Sequence, residues 1–436
     1  MRSTSLRVAV IGAGYVGGVT AAGLARFGHT VSIFDRNPEA VPRLLGGKPL
    51  FFEPGLEELI ASGRDQLVAA GSIGEAVDDA AVVMICVNTP DSGTGAIDLS
   101  FVRTAVREVA GATSSGPMAI AIRSTVIPGT TAQVDATILA PLRAGGRQIA
   151  AVANPEFLRE GRAVADFLHP DRIVVGDDDK WAGDLVASLY ARTPTTIMRM
   201  TRSSAELAKY MNNALLATLV SFSNEMADIA EAVDGADVTD ALLAVHADRR
   251  WHDREGRWDP GILGYLWPGC GYGGSCLPKD VKALRAEASA LGLTVPMLQA
   301  IDAINESRVA KLAQIALSSL PDPNSAIAVL GTAFKAGTRD ERSSPGLRIA
   351  SELKRRAATV LTYDPLIETN GGTGESLTEV LSKTKVWIVA TLAAEFESLP
   401  DRAVEHGAVL IDARRRFAPT SRGYRGPGLF RTSTDS

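Results

Sequence analysis

Short apolar runs recur along this chain, and each one stops at glycine or polar residues. Leu6–Ile11 runs into Gly12-Ala13-Gly14-Tyr15-Val16-Gly17 and then an apolar stretch to about Phe27. A run of that length bounded by turn residues reads as a buried parallel strand, and the stretch after it as a helix. Thr30–Phe34 reads as a second strand and ends at Asp35. Ala81–Val87, Met118–Ile122 and Ile149–Val152 repeat the pattern, ending at Asn88-Thr89-Pro90, Arg123–Gly129 and Asn154–Gly161. Ser203–Val233 differs. Its apolar residues fall at helical spacing, with Leu207, Tyr210, Met211, Ala214, Leu215, Thr218 and Phe222 on one face. Lys209 and Asn213, at i and i+4, share a face as well. A helix this long predicts a spine between domains, and an apolar stripe too long for one small domain to cover. After the turn-rich Pro321-Asp322-Pro323-Asn324, strands return at Ala326–Leu330, Thr359–Tyr363, Val386–Ala390 and Val409–Ile411, with a helix ending near Arg356. Strands alternating with helices predict an α/β chain with two parallel-sheet units. The divisions read as 1–200, 201–320 and 321–436.

Two stretches carry chemistry. Strand, G-x-G-x-x-G, helix, strand, acid is the order of a dinucleotide-binding unit. The first glycine makes the tight turn, the second admits a pyrophosphate, and the third lets helix pack on strand. Asp35 stands where a carboxylate takes the adenosine ribose hydroxyls, which favours NAD over NADP, while Arg36 beside it could accept a 2′-phosphate. The second stretch is Gly271-Tyr272-Gly273-Gly274-Ser275-Cys276-Leu277-Pro278-Lys279-Asp280. Its glycines allow close backbone approach, and Pro278 opens a helical pattern to Leu291. Cys276 at that helix start is placed as a thiolate nucleophile, with Asp280 in the first turn as a water-handling partner. The competing reading is a buried cysteine beside a helix cap.

Composition narrows the classes. The chain has 436 residues, with 46% apolar and 22% charged, as in ordinary globular proteins. A net charge of −5 gives no sign of a nucleic-acid or membrane surface. Three cysteines (Cys86, Cys270 and Cys276) argue against a disulfide framework and for a reducing, cytoplasmic setting. No signal-like N-terminus and no spanning apolar run are expected. No metal ligand set is assigned. Arg249–Trp267 reads as a long loop, and the polar tail after Pro419 as frayed.

Those motifs, with Glu53-Pro54-Gly55, Pro170–Gly176, Ala205–Asn213 and Phe334–Pro345, resemble the UDP-glucose/GDP-mannose dehydrogenase family, nearest its UDP-glucose branch. The resemblance runs from Val8 to about Arg416. It implies two Rossmann-like parallel-sheet domains joined by a long central helix that dimerises, and oxidation of a sugar C6 hydroxyl to a carboxylate with two NAD+. It implies Cys276 as the nucleophile forming a thiohemiacetal and then a thioester, with Asp280 handling the hydrolytic water. Lys209 and Asn213 would stabilise the oxyanion, and Glu160 would be the acid/base group, with Thr125 holding a water. Cofactor contacts would be Gly12, Gly14, Tyr15, Val16, Gly17, Asp35, Arg36, Thr89, Pro90, Thr125, Glu160, Lys279 and Arg342. Substrate contacts would be Glu156, Phe157, Leu158, Lys209, Asn213, Tyr265, Trp267, Gly273, Phe334, Lys335 and Arg414. The implied partners are a nucleotide sugar and a second copy of the chain, with no nucleic acid and no membrane. The chain departs from the family where an arginine lent across the dimer is usual. Counting back from Tyr265, that place holds Pro260, with Arg250 and Arg257 nearby. Trp251, Trp258, Trp267, Cys270 and Arg339 also depart. The rival readings are a GDP-mannose or other nucleotide-sugar 6-dehydrogenase, a one-step dehydrogenase that needs no cysteine, and an inactive nucleotide-sugar sensor.

Overall fold

The computed structural model describes residues 5–112, 116–251, 260–367, 376–417 and 423–429. Two compact units divide the chain, Met1–Met211 and Asn212–Ser436.

The first unit is built on eight strands: β1 (Arg7–Ile11), β2 (Thr30–Phe34), β3 (Leu67–Ala69), β4 (Val82–Ile85), β5 (Met118–Ile122), β6 (Ile149–Ala153), β7 (Ile173–Gly176) and β8 (Ile197–Met200). They lie in the order β3-β2-β1-β4-β5-β6-β7-β8. Every residue of β4, β5 and β6 is buried, which is why these strands are unbroken apolar runs: helices cover both faces of the sheet. The helix α1 (Tyr15–Arg26) returns the chain from β1 to β2. Strand order reverses between β1 and β4, and that reversal opens a crevice at the carboxyl ends. Two features depart from the sequence reading. The sheet is not wholly parallel: β6 and β7 pair antiparallel, through Ala153 and Gly176. Two strands carried little apolar signal, because β3 buries one residue and β8 none.

In the second unit β9 (Ala326–Leu330), β10 (Val360–Tyr363), β11 (Thr384–Val389), β12 (Val409–Asp412) and β13 (Tyr424–Arg425) form a parallel sheet ordered β10-β9-β11-β12-β13. Trp387 on β11 is fully buried at its centre. The frayed tail is corrected here for residues 423–429. Tyr424 is buried, its hydroxyl donates to Asp412 Oδ2 at 2.8 Å, and Val238 N donates to Gly428 O at 3.0 Å. Asp412 also accepts the backbone N–H groups of Arg416 and Phe417, so one buried carboxylate docks the segment.

Between the strands run α2 (Arg202–Ala232), α3 (Leu277–Ala290), α4 (Pro296–Ser318) and α5 (Pro345–Arg355). The helix α2 matches its predicted span, and most of the stripe read as too long for one domain to cover is exposed, Tyr210 excepted. Leu207, Met211, Leu215 and Phe222 are exposed, whereas Glu206, Lys209, Tyr210, Asn213 and Asn224 are buried. Polar groups here have partners inside, so burial follows hydrogen bonding and not hydropathy. The expected long loop contains a 3₁₀ turn at Arg249–Trp251 and a short helix at Pro260–Leu263, while Arg257 and Trp258 lie outside the described residues. Among the described residues, no helix is long and apolar enough to cross a membrane.

Candidate active site

The turn after β1 has the form a dinucleotide needs. Gly12 sits at φ +102°, where a Cβ would lie 2.6 Å from Cys86 O. At Gly17 a Cβ would lie 1.8 Å from Gly12 O, so only glycine lets α1 rest on the strand end. Gly14 differs, with no atom within 4 Å of its missing side chain. Two glycines are thus demanded by the chain's own packing, and the middle one by open space for a ligand backbone. The carboxylate of Asp35, at the end of β2, holds this turn by accepting from Ala13 N at 2.6 Å and takes Asn37 N at 2.8 Å on its other oxygen. Each oxygen keeps a lone pair for a ribose hydroxyl. The Arg36 guanidinium pairs with Glu108 at 2.6 Å, in a pair exposed on both sides. Thr89 is buried and Pro90 exposed at the mouth of β4, and Val16 is half-buried in the first turn of α1. These residues fit NAD.

A buried glutamate ties that turn to the next loop. Glu53 accepts the Tyr15 hydroxyl at 2.5 Å and Gly161 N at 2.8 Å on one oxygen, and Ala163 N at 2.6 Å on the other. Burial, and then Glu53, push the Tyr15 phenol well above its usual range. The sequence reading quoted Glu53 within a motif but gave it no role. Its signal was a carboxylate followed by Pro-Gly, where a turn makes the acid an anchor. Glu160 immediately precedes one of these anchored N–H groups and is half-buried.

Lys209 is buried. Its ammonium donates to Glu156 Oε1 at 3.0 Å and lies 5.5 Å from the centre of the Phe157 ring. Glu156 Oε2 accepts Leu158 N at 2.5 Å, which fixes the loop carrying Phe157 and Leu158. The guanidinium of Arg172 lies over the Phe157 ring, 4.1 Å from its centre. A small cavity lined by Thr125, Glu206 and Lys209 lies beside this pair. Glu206 accepts Gly129 N, Thr131 N and the Thr131 hydroxyl at 2.6–2.7 Å, which fixes the loop of Thr125 against α2.

In the second unit Cys276 is the N-cap residue of α3 and is exposed, whereas Cys86 and Cys270 are buried. Its sulfur lies 3.6 Å from the Ser275 hydroxyl. Burial pushes the Cys86 thiol up to about 12, which leaves it protonated and inert. Asp280 is buried with both oxygens engaged, one by Asn213 Nδ2 at 2.6 Å and one by Lys279 Nζ at 2.6 Å. The glycines before Cys276 are packed by their own unit: a Cβ on Gly273 would lie 2.3 Å from Ser343 O, and one on Gly274 would lie 2.7 Å from the Phe334 ring. Gly274 N also donates to Arg342 O, so the cysteine loop and the Phe334–Pro345 segment are one assembly. Arg342 pairs with Asp340 at 2.6 Å. Arg414 donates to Ala390 O at 2.5 Å and reaches Phe334 O at 3.5 Å. Lys335 and Tyr265 are half-buried. Trp267 packs edge-on against His246, with the Arg416 guanidinium 5.5 Å above its ring. Arg250 pairs with Asp248 at the surface.

Each unit therefore gathers its own candidate groups: the dinucleotide turn with Glu53, Thr125, Glu156, Glu160 and Lys209 in the first, and Asn213, Cys276, Lys279 and Asp280 in the second. Residues 6–194, 203–307 and 328–419 match the NAD binding, central and UDP binding domains of the UDP-glucose/GDP-mannose dehydrogenase family. The chain is 36% identical to a UDP-glucose 6-dehydrogenase of Pseudomonas aeruginosa, over 95% of this chain and 94% of that one. It is 35% identical to a GDP-mannose 6-dehydrogenase of Pseudomonas savastanoi pv. phaseolicola, over 83% of this chain and 82% of the other. A UDP-glucose dehydrogenase structure from Pyrobaculum islandicum superposes with a TM-score of 0.88 at 34% identity, covering 98% of both chains.

Proposed function

The chain belongs to the UDP-glucose/GDP-mannose dehydrogenase family of NAD-dependent nucleotide-sugar 6-dehydrogenases, and from that premise we propose that it oxidises UDP-glucose to UDP-glucuronate. What supports the uridine nucleotide is the match of residues 328–419 to a UDP binding domain, together with likeness over 95% or more of the chain to two proteins named as UDP-glucose dehydrogenases. A panel of UDP-glucose, GDP-mannose and UDP-N-acetyl sugars, read by NADH absorbance, tests the reading. Highest kcat/KM with GDP-mannose would overturn it.

The net reaction takes one C6 hydroxyl, one water and two NAD+ to one carboxylate, two NADH and three protons. Bound NAD+ supplies the hydride acceptor for both oxidations. Gly14 and Asp35 hold it, with Tyr15, Val16, Gly17, Thr89 and Pro90 around them and Lys279 and Arg342 in supporting roles. Glu160 takes the C6 hydroxyl proton through a water held by Thr125, and the C6–H bond gives up its hydride. The Cys276 thiolate then adds to the aldehyde carbon, which keeps a reactive intermediate from escaping. Lys209 and Asn213 donate to the oxyanion this creates. Loss of the second hydride leaves a thioester on Cys276, and water cleaves it, returning the thiolate. The two hydrogen bonds of Asp280 give it an orienting role: it aims the Asn213 amide and holds Lys279. Glu156, Phe157 and Leu158 line the sugar. Tyr265, Trp267, Gly273, Phe334, Lys335 and Arg414 take the nucleotide.

The assignment divides the chain into an NAD-binding region 1–200, a central region 201–320 and a nucleotide-sugar region 321–436. The exposed stripe of Leu207, Met211, Leu215, Phe222 and Ile229 on α2 is the proposed contact of a homodimer. A mechanism that needs a reduced, exposed Cys276 supports a reducing, cytoplasmic setting.

A further inference from the structure

The stretch that delivers Cys276 has little of its own to hold it. Gly269, Gly271, Gly273 and Gly274 precede the cysteine closely, and fixing a glycine costs more conformational freedom than fixing any other residue. Residues 269–275 belong to no strand or helix, so side chains must take their buried backbone groups. Gly269 N donates to Asn224 Oδ1 at 2.7 Å, from α2, and Gly269 O accepts from Arg308 Nε at 3.2 Å, from α4. Asn305, on the same face of α4 as Arg308, takes both polar groups of Tyr272. Its Oδ1 accepts Tyr272 N at 2.8 Å, and its Nδ2 donates to Tyr272 O at 3.2 Å. Asn224, Asn305 and Arg308 are all buried.

The double bond to Tyr272 fixes the amide's orientation, because the N–H needs an acceptor and the carbonyl a donor. It also sets the residue before: Gly271 has φ +91°, and a Cβ there would lie 2.3 Å from Asn305 Oδ1. Between Tyr272 and the nucleophile stand Gly273, Gly274 and Ser275. Gly274 N donates to Arg342 O, and Cys276 O accepts Asp280 N at 2.8 Å in the first turn of α3. The sulfur is thus held between a helix start on one side and the Asn305 clamp on the other.

We propose that Asn305 is a positioning residue for Cys276, acting through Tyr272 to keep the thiolate within reach of the aldehyde formed at C6. This rests on the dehydrogenase reading above and concerns one step within it. The S–C bond forms, and the carbonyl π pair moves to oxygen. A thiolate displaced by about 1 Å adds more slowly, and the aldehyde has time to leave.

The test compares the full-length wild type with Asn305→Ala and Asn305→Asp, using the sugar nucleotide preferred in the substrate panel. Semicarbazide is added to trap free aldehyde, and the adduct is read by mass. In Asn305→Ala, kcat should fall roughly 10²-fold with KM for NAD+ unchanged, and trapped aldehyde should appear that the wild type does not release. Asn305→Asp has the same shape. Ionised, its second oxygen repels Tyr272 O; protonated, it accepts and donates as the amide does. The charges around this place are already paired, as Arg285–Asp302, Arg348–Glu306 and Arg308–Asp228, so burial should raise the introduced carboxyl's pKa. Its kcat relative to wild type should therefore climb as pH falls, with less aldehyde trapped, whereas the ratio for Asn305→Ala stays flat. Should Asn305→Ala fail to fold, the Asn305→Asp profile decides. Wild-type kcat and no trapped aldehyde in a folded Asn305→Ala would overturn the proposal, and so would a flat ratio in Asn305→Asp. Two NADH per sugar from the wild type alongside either result leaves the dehydrogenase reading standing; one NADH from the wild type removes both.

Discussion

An ammonium and a carboxylate meet at 3.0 Å inside the first unit, with both Lys209 and Glu156 buried. Burial pushes the Glu156 carboxyl up, but the Lys209 ammonium, its hydrogen bond, Leu158 N–H and Arg123 outweigh this, so its pKa falls below the ordinary value. A carboxyl held low in the folded state contributes stability above its unfolded pKa, about 4.3, and loses it as pH falls through the folded value. Melting temperature should therefore fall with acid below about pH 4.3, and Glu156→Gln should flatten that dependence. The variant also leaves Lys209 buried without its counter-ion, at a cost of about 3–5 kcal/mol at neutral pH. An unchanged melting profile would contradict the pair's role. Cys276 presents a different test. Cys276→Ser keeps size and polarity but has a far poorer nucleophile, so turnover should drop roughly 10³-fold or more. Asp280→Asn keeps the nucleophile but turns an acceptor into a donor facing the Asn213 amide, and should cost roughly 10²-fold in kcat through misplacement alone. Equal losses in the two variants would contradict the division of labour. The exposed cysteine at a helix start was legible because glycines, a cysteine and a helix-opening proline are adjacent in sequence. The partners of Asp280 and Glu156 were not, since Asp280–Asn213 and Glu156–Lys209 span 67 and 53 positions.

Among the elements, the strands that carry the site were readable because each is buried on both faces and ends in glycine or a polar cluster. The strands β3 and β8, with little or nothing buried, had no such signature. The helix α2 was readable in length and in its uncovered apolar stripe, but not in the polar groups it buries. Periodicity reports which residues share a face, and not whether that face meets protein or water. Leu207, Met211, Leu215 and Phe222 face outward while charged and amide groups face in. The stripe should bury itself in a second copy: the wild type should run as a dimer in light scattering at micromolar concentration, and Met211→Asp with Leu215→Asp should shift it to monomer. A monomeric wild type would remove the homodimer from the account. Glu53 links two further elements, the dinucleotide turn and the Glu160 loop, through three hydrogen bonds. Glu53→Gln puts an amide N–H against one of those donors. It should lower kcat/KM for NAD+ roughly tenfold, equivalent to about 1.4 kcal/mol. The loss should appear mainly in KM for NAD+, and an unchanged value would mean that Glu53 only stabilises the fold.

For the whole molecule, two sheets of similar topology now have different duties. The first keeps the open glycine that a dinucleotide needs, at Gly14. The second has spent its corresponding turn on a long segment that carries Phe334, Lys335 and Arg342 and packs against the cysteine loop through Gly273 and Gly274. The repeat of architecture was visible in the sequence as a second series of strands, but its changed turn was not, because the glycine equivalent to Gly17 is displaced to Gly346. Family membership and the reaction follow from the whole chain, whereas the four-electron outcome rests on one sulfur holding the aldehyde between two hydride transfers. The most direct measurement is the NADH yield from a limiting amount of UDP-glucose with excess NAD+, run to completion and checked by product mass. Two NADH per sugar and UDP-glucuronate as the product are predicted. One NADH per sugar, with free aldehyde released, would contradict the account.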